Sequence, residues 1–286
     1  MPNGWRSMNN SKIPFPFLEV PSRSEKPRTQ GLTIFADINL SVREVTDLME
    51  HQAELLDYAK IVDHGAMIAR YHSDWLRQKV EIYHANDVKI FIGGVVYQVA
   101  ALQGKAREYF EALVGLGFDT VEICEDAMGD KYTITQETRL EHIRMAVDMG
   151  LEVFTEFGKK EAEVPVEAEE TIELMHIDFE AGASKATIEN TDIRLLMKSD
   201  PQPIFDIVKG VGLERLRFEA GPYGWPEVPL WCIDQFGPEV SLENIFVNQL
   251  SQLDGMRRRM ARENGFLFVL EDGAQMSNVP APKAGI

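Results

Sequence analysis

The chain has 286 residues and a hydrophobic content of 44%, which is ordinary for a globular protein and allows one large closed core. Its formal net charge of −17 argues against a nucleic-acid partner, since a phosphate backbone requires clustered lysine and arginine. No apolar run is as long as a membrane span and the amino terminus has no secretion-type apolar stretch, so we expect no membrane partner.

A short apolar run that ends in a polar or charged residue recurs about eight times along the chain. The runs are Thr33–Asp37, Leu56–Lys60, Lys89–Gly94, Thr120–Cys124, Glu152–Glu156, Ala186–Glu189, Leu216–Glu219 and Val240–Asn244. Amphipathic stretches of helical length separate them, so a new run begins roughly every 25–35 residues. This alternation predicts an α/β protein with a single (β/α)8 TIM barrel.

The stretches between the runs carry helix start and stop signals. Ser41 precedes the first amphipathic stretch and is a plausible N-cap. Gly117, Gly150, Gly182 and Gly212 each follow a helical stripe and precede a strand-like run, where glycine supplies a positive φ. The repeated order of helix, glycine and strand predicts a parallel sheet with right-handed crossovers.

The two ends of the chain differ from this pattern. We predict an N-terminal arm over residues 1–24, the barrel over residues 25–271 and a flexible C-terminal tail over residues 272–286. An apolar stretch at residues 14–18 could lie across the barrel or a neighbouring subunit. Together with the acidic barrel, it leads us to expect a homo-oligomer.

Two further features bear on localisation and on ligands. Cys124 and Cys232 are the only cysteines and have no metal-type spacing, so we expect buried free thiols in a cytoplasmic protein. The basic cluster at residues 257–259 is interpreted as a solvated helix face rather than an anion clamp.

Carboxylates occur where the predicted strands end, and barrels of this type place their chemistry there. The candidate metal ligands are Asp37, Glu122, Glu156, Glu189 and Glu219. Because Mg²⁺ prefers oxygen ligands, carboxylates that converge at strand ends predict a magnesium site. A small anionic substrate would then need this cation or nearby lysines to offset the negative charge of the carboxylates.

The segment Glu156–Lys160 is the strongest local signal. A strand ends in Glu156, a glycine follows, and Lys159 and Lys160 come next. A lysine beside a metal site can neutralise an anionic substrate, for which we consider Lys160, or deliver a proton, for which we consider Lys159. The alternative is a structural ion pair between Glu156 and Lys159 at the barrel rim.

Other candidates lie at the second and third strand ends. Lys60 could face the first strand end across the mouth of the barrel, and His64 lies in the loop just beyond it. Gly93 and Gly94 could let a phosphate or carboxylate approach backbone N–H groups.

At these residues the chain resembles the phosphosulfolactate synthase family, which also includes plant heat-stress-associated relatives. The matching segments are Lys26–Thr33, Gly93–Gly94, Gln103–Lys105, Leu116–Ile123, Glu156–Lys160, Ile188–Glu189, Phe218–Ala220 and Phe236–Val240. The resemblance implies a (β/α)8 barrel that adds sulfite to phosphoenolpyruvate with Mg²⁺. The product would be 2-phospho-3-sulfolactate, on the route to coenzyme M.

The resemblance also implies roles. Glu156 and its carboxylate neighbours would hold Mg²⁺ against the enolate-like charge that sulfite addition creates, and Lys159 or Lys60 would protonate C2. The loops after the second, fourth, sixth and seventh strands depart from the family pattern, and after the sixth strand Asn190 is a further candidate for substrate binding. Two alternatives therefore stay open: a divergent relative that acts on another small enol or phosphorylated acid, and a non-catalytic barrel protein.

Overall fold

The structure is a computed structural model of the chain that describes residues 5–6, 14–18, 20–124, 134–160 and 163–266. The strands are β1 (Trp5–Arg6), β2 (Val20–Pro21), β3 (Thr33–Asp37), β4 (Tyr58–Ile61), β5 (Lys89–Ile92), β6 (Thr120–Cys124), β7 (Glu152–Phe157), β8 (Lys185–Ile188), β9 (Leu216–Glu219) and β10 (Leu242–Ile245). The helices are α1 (Val42–Gln52), α2 (His64–Ala69), α3 (Ser73–His84), α4 (Val95–Leu102), α5 (Ala106–Leu116), α6 (Gln136–Asp148), α7 (Ala168–Ala181), α8 (Asn190–Lys198), α9 (Gln202–Val211), α10 (Glu227–Phe236) and α11 (Leu250–Arg257).

Strands β3 to β10 form one parallel sheet in the order β5-β4-β3-β10-β9-β8-β7-β6. The two edge strands approach each other at their lower ends, where the Asp119 N–H donates to the Ile90 carbonyl oxygen at 3.3 Å. Helices follow each strand, so the sheet is a nearly closed barrel inside a ring of helices. The predicted (β/α)8 TIM barrel is confirmed, and the strand bounds agree with the predicted runs to within two residues.

The helix signals also act as expected. Ser41 caps α1 through a reciprocal pair of bonds, in which the Glu44 N–H donates to Ser41 Oγ at 3.2 Å and the Ser41 N–H donates to Glu44 Oε2 at 2.8 Å. The four predicted stop glycines all have φ between +86° and +116°, where a side chain is disfavoured.

The barrel has two apolar layers. The larger one fills the space between the strands and the helices, and Val121 and Ile123 of β6 belong to it. The smaller one lies inside the barrel and includes Tyr58, Phe91 and Phe154. This inner layer fills the lower half of the barrel and separates the cavity at the carboxyl ends of the strands from the charged groups at their amino ends.

The chain ends are described only in part. Of the predicted arm, residues 5–6, 14–18 and 20–24 are described, and Phe17 there is 77% exposed rather than packed across the barrel. The predicted tail, residues 272–286, lies outside the described residues.

Three smaller expectations can be compared with the structure. Cys124 and Cys232 are buried and are not in a disulfide, as predicted. The solvated face predicted at residues 257–259 is wrong for Arg257, which is buried and donates to the carbonyl oxygens of Val240 at 2.6 Å and Leu32 at 3.2 Å. Within residues 20–124, 134–160 and 163–266, every helix is too short or too polar to cross a lipid bilayer.

Candidate functional site

A cavity of about 470 Å³ opens at the carboxyl ends of the barrel strands. Its wall divides into two parts that follow the strand order. The acidic half comes from β6 to β9 and the segments after them: Glu122, Glu156, Lys160, Glu189, Asn190 and Glu219. The apolar half comes from β10 and β3 to β5 and the segments after them: Ala36, Ile38, Val62, Val95 and Phe246.

The floor of the cavity is a buried ion network. Lys60 Nζ lies 3.0 Å from Glu122 Oε1 and 3.9 Å from Glu156 Oε2, and it also donates to Glu243 Oε1. Arg217 completes the network with contacts of 2.8 Å to Glu243 and 3.6 Å to Glu122. The three carboxylates have oxygens within 4.8 Å of one another, a spacing that could hold a metal ion, but the Lys60 ammonium contacts all three.

Burial and mutual charge shift the pKa values of this network in different directions. Burial alone would lower the pKa of Lys60, but Glu122, Glu243 and Glu156 outweigh it and raise that pKa. Burial raises the pKa of Glu122 to about 8 in spite of Lys60. Burial would also raise the pKa of Glu243, yet Arg217 and Lys60 lower it to about 2. At neutral pH the charged Lys60 ammonium group therefore lies beside a Glu122 carboxyl group that keeps its proton.

A second group of carboxylates lies above the floor at the mouth. Lys160 Nζ lies 3.3 Å from Glu156 Oε1 and 3.1 Å from Glu189 Oε2. The Glu219 carboxyl group is hydrogen-bonded to Glu189. Burial first, and the neighbouring Glu189 second, raise the pKa of Glu219 well above its usual range, so Glu219 is the donor in this bond.

Two asparagines hold Glu219 in place. The Asn190 N–H donates to Glu219 Oε2 at 3.2 Å, and Asn244 Nδ2 donates to Glu219 Oε1. Asn190 Nδ2 also donates to the carbonyl oxygens of Glu219 and Tyr223, both at 3.0 Å. Carbonyl oxygens only accept hydrogen bonds, so the atom of the Asn190 amide that contacts both of them must be the nitrogen. This fixes the orientation of the amide. The Oδ1 atoms of both asparagines are buried without a hydrogen-bond partner among the described residues.

Most of the predicted site residues lie together at this cavity. Those that line it are Lys60, His64, Gly93, Gly94, Glu122, Glu156, Lys160, Glu189, Asn190 and Glu219.

Asp37, which we expected among the metal ligands, lies elsewhere. Side chains alternate along β3, so Ala36 and Ile38 face the cavity while Asp37 points outward. There Asp37 pairs with Lys79 and accepts a hydrogen bond from the Tyr83 hydroxyl at 2.8 Å. The prediction that Asp37 is a metal ligand at this cavity is therefore wrong.

Lys159 also lies outside the lining of the cavity, and its side chain is exposed. Its main-chain N–H donates to Asp192 Oδ2 at 3.2 Å. The lysine that contacts Glu156 at the rim is Lys160, so the ion pair expected at this strand end involves the second lysine of the segment.

The glycine pair has a different role from the one expected. The Gly93 N–H donates to the Ile61 carbonyl oxygen at 3.0 Å, and the Gly94 N–H donates to Glu122 Oε1 at 2.8 Å. Both N–H groups are therefore engaged within the protein, and the expected exposed N–H pair for an anion is wrong. A Cβ atom on Gly94 would lie 2.6 Å from Cys124 Sγ, so the glycine allows close packing.

His64 packs directly over Gly93, where a Cβ atom would lie 2.6 Å from His64 Cε1. Burial, with Lys60 and Lys160 adding to it, lowers the pKa of His64 to about 4. The imidazole is therefore neutral at physiological pH, and its buried Nδ1 has no hydrogen-bond partner among the described residues.

Three residues of the site were missed from the sequence: Arg217, Glu243 and Asn244. Arg217 alternates with Glu219 on β9, so the period of two could have placed it inside. For Glu243 and Asn244 no such signal exists, because the register of β10 shifts between Leu242 and Ile245 and Asn244 has φ of 58°. This irregularity turns two successive side chains toward the interior.

The fold and the site define a (β/α)8 barrel protein with ionisable groups gathered at the carboxyl ends of its strands, which is where barrel enzymes have their active sites. The chain belongs to the (2R)-phospho-3-sulfolactate synthase (ComA) family, whose model matches residues 21–263. This membership supports a lyase-type enzyme.

Two curated relatives illustrate the match. The chain is 31% identical to the phosphosulfolactate synthase of Methanothermobacter thermautotrophicus over 255 residues, covering 85% of this chain and 94% of that protein. It is 26% identical to the phosphosulfolactate synthase of Bacillus subtilis, covering 87% and 98%.

Solved structures share the fold at low identity. The DHDPS of Cyanidioschyzon merolae with bound lysine matches with a TM-score of 0.55 and 11% identity, covering 86% of this chain and 77% of that one. A phosphonopyruvate hydrolase in complex with oxalate and Mg²⁺ matches with a TM-score of 0.52 and 12% identity, covering 88% and 87%.

Proposed function

We propose that the protein adds sulfite to phosphoenolpyruvate in the presence of Mg²⁺ and forms 2-phospho-3-sulfolactate. Family membership supports the reaction class. The observation that carries the proposal is the carboxyl pair Glu189–Glu219 beside Glu156, at the mouth of a cavity whose floor contains a fixed ammonium.

The residues at the mouth fit a divalent cation. The site as a whole has five carboxylates (Glu122, Glu156, Glu189, Glu219 and Glu243) and three cations (Lys60, Lys160 and Arg217). With Glu122 and Glu219 protonated, the three other carboxylates balance the three cations, and loss of the Glu219 proton gives the mouth a net negative charge that favours a divalent cation. The unpartnered Oδ1 atoms of Asn190 and Asn244 add neutral oxygen acceptors, which suit the water ligands that Mg²⁺ keeps.

Glu156, Glu189 and Glu219 are the proposed ligands, because the floor carboxylates are already neutralised by Lys60 and Arg217. Bound there, Mg²⁺ would supply Lewis-acid stabilisation for charge that develops on the substrate carboxylate. Lys160, which lies on the same carboxylates, is half-exposed at the rim and is the cation available for the phosphate.

The floor supplies the remaining chemistry. Sulfite forms a bond to C3, the electron pair of the double bond moves to C2, and C2 then takes a proton. Lys60 keeps its proton because its pKa is raised, so it stabilises negative charge rather than transferring a proton. Glu122 has a pKa of about 8 and lies in the cavity wall, which makes it the proposed proton donor.

A matched pair of variants tests this assignment. Glu189→Gln removes a proposed ligand, and Glu152→Gln removes a carboxylate at the opposite end of the barrel. We expect sulfite-dependent consumption of phosphoenolpyruvate that stops with a chelator, falls at least about 100-fold in Glu189→Gln and persists in Glu152→Gln. Equal activity in the two variants would contradict the metal site, and no consumption by the wild type would contradict the reaction.

A further inference from the structure

The apolar half of the cavity has no role in the reaction of two small anions. Ile38, Val62, Val95 and Phe246 come from neighbouring strands and are each partly exposed, with Ile38 45% exposed. Phosphoenolpyruvate and sulfite are covered largely by charged oxygens. An exposed apolar wall next to such ligands leaves them without hydrogen bonds on that side.

The lysine ammonium groups that line the cavity are paired with carboxylates and are not directed at the apolar half. Among the described residues that line the cavity, the cationic side chains are Lys60 and Lys160, and both are paired with carboxylates of the acidic half or the floor. His64, which adjoins the apolar half, is neutral at physiological pH. The volume of about 470 Å³ is in the range of sites that take ligands larger than either anion.

We propose that the apolar half also admits an organic sulfur nucleophile, a sulfinate with an apolar substituent, while the enol acid occupies the acidic half. This inference rests on the proposed addition chemistry and extends the nucleophile from sulfite to such sulfinates. The sulfur lone pair forms the bond to C3 and the double-bond electrons move to C2. One proton adds there, so no group leaves and no oxidant is needed.

The test measures binding separately from turnover. Isothermal titration of the Mg²⁺-loaded protein with benzenesulfinate and with methanesulfinate compares two ligands that differ in apolar surface. We expect benzenesulfinate to bind at least about tenfold more tightly, because its ring is removed from water against the apolar half. Ile38→Asp should abolish this preference. Ile68→Asp is the matched control, since Ile68 is 56% exposed and does not line the cavity.

Each outcome separates the inference from the proposed function. Equal affinities for the two sulfinates, or a preference that survives Ile38→Asp, would overturn the inference even if sulfite and phosphoenolpyruvate react. A preference for benzenesulfinate that Ile38→Asp removes, together with turnover of it, would support both. The same preference without turnover of sulfite or of either sulfinate would refute the addition chemistry. It would still support binding of the apolar substituent at the apolar half.

Discussion

Lys60→Met is the variant that probes the floor of the site most sharply. Methionine has a similar length without charge, so the change leaves Glu122, Glu156 and Glu243 without the ammonium that they share. Arg217 still neutralises Glu243 and Glu122 keeps its proton at neutral pH, so the penalty falls mainly on the ionised Glu156.

The size of the effect follows from the geometry. At an effective dielectric constant of about 20, the 3.9 Å contact between Lys60 and Glu156 corresponds to roughly 4 kcal/mol of attraction before dehydration of the ammonium is subtracted. Removal of one partner of a buried ion pair lowers the free energy of unfolding by about 3–5 kcal/mol. For a chain of this length we expect the melting temperature to fall by roughly 5–8 °C.

Urea denaturation of both proteins at several pH values provides the assay. In the folded state the pKa of Glu122 is raised above its unfolded value. The protonated carboxyl group therefore contributes to the free energy of unfolding, and this contribution is lost as the pH rises through about 8. Without Lys60 that pKa rises further, so the two proteins lose stability in parallel up to about pH 8, and the difference between variant and wild type should grow above about pH 8. A difference below about 1 kcal/mol, or one that is independent of pH, would refute this electrostatic account of the floor.

Three other predictions concern the mouth and the outer face of the barrel. Because the pKa of Glu219 is raised well above its usual range, Mg²⁺ binding at pH 7 should release a proton, and calorimetry in two buffers of different ionisation enthalpy would find no buffer dependence if this is wrong. Asn244→Ala should lower the Mg²⁺ affinity roughly 10–100-fold by titration, since it removes the hydrogen bond from Asn244 Nδ2 to Glu219 Oε1, and unchanged affinity would argue against this clamp. Asp37→Asn should lower the free energy of unfolding by about 3–5 kcal/mol, because Lys79 would remain buried without its carboxylate partner. The Mg²⁺ affinity should stay unchanged, and a loss of affinity would show that Asp37 is a ligand after all.

The strands and the location of the site were predictable because both depend on periodic patterns. Apolar runs and terminal glycines predict the barrel, and a parallel barrel brings the strand ends to one face. Alternation along β9 also places Arg217 on the same face as Glu219. The same alternation explains why Asp37 is not at the cavity: a strand-end carboxylate faces inward only if its register allows it.

The remaining features depend on geometry that a sequence does not display. The irregularity in β10 brings Glu243 and Asn244 inward together, and it is a shift of register against β3, a strand about 200 residues earlier in the chain. The choice of Lys160 over Lys159 at the rim depends on the course of the loop after β7. The hydrogen bonds of Gly93 and Gly94 likewise depend on partners from other strands.

The most direct test of the central proposal is the identity of the product formed in D₂O. Purified protein would be incubated with Mg²⁺, sulfite and phosphoenolpyruvate and followed by ³¹P and ¹H NMR. We predict a new phosphomonoester signal that requires sulfite, from 2-phospho-3-sulfolactate with a single deuteron at C2. Phosphoenolpyruvate that remains unchanged beside sulfite and Mg²⁺, or a product without deuterium at C2, would contradict the proposed addition.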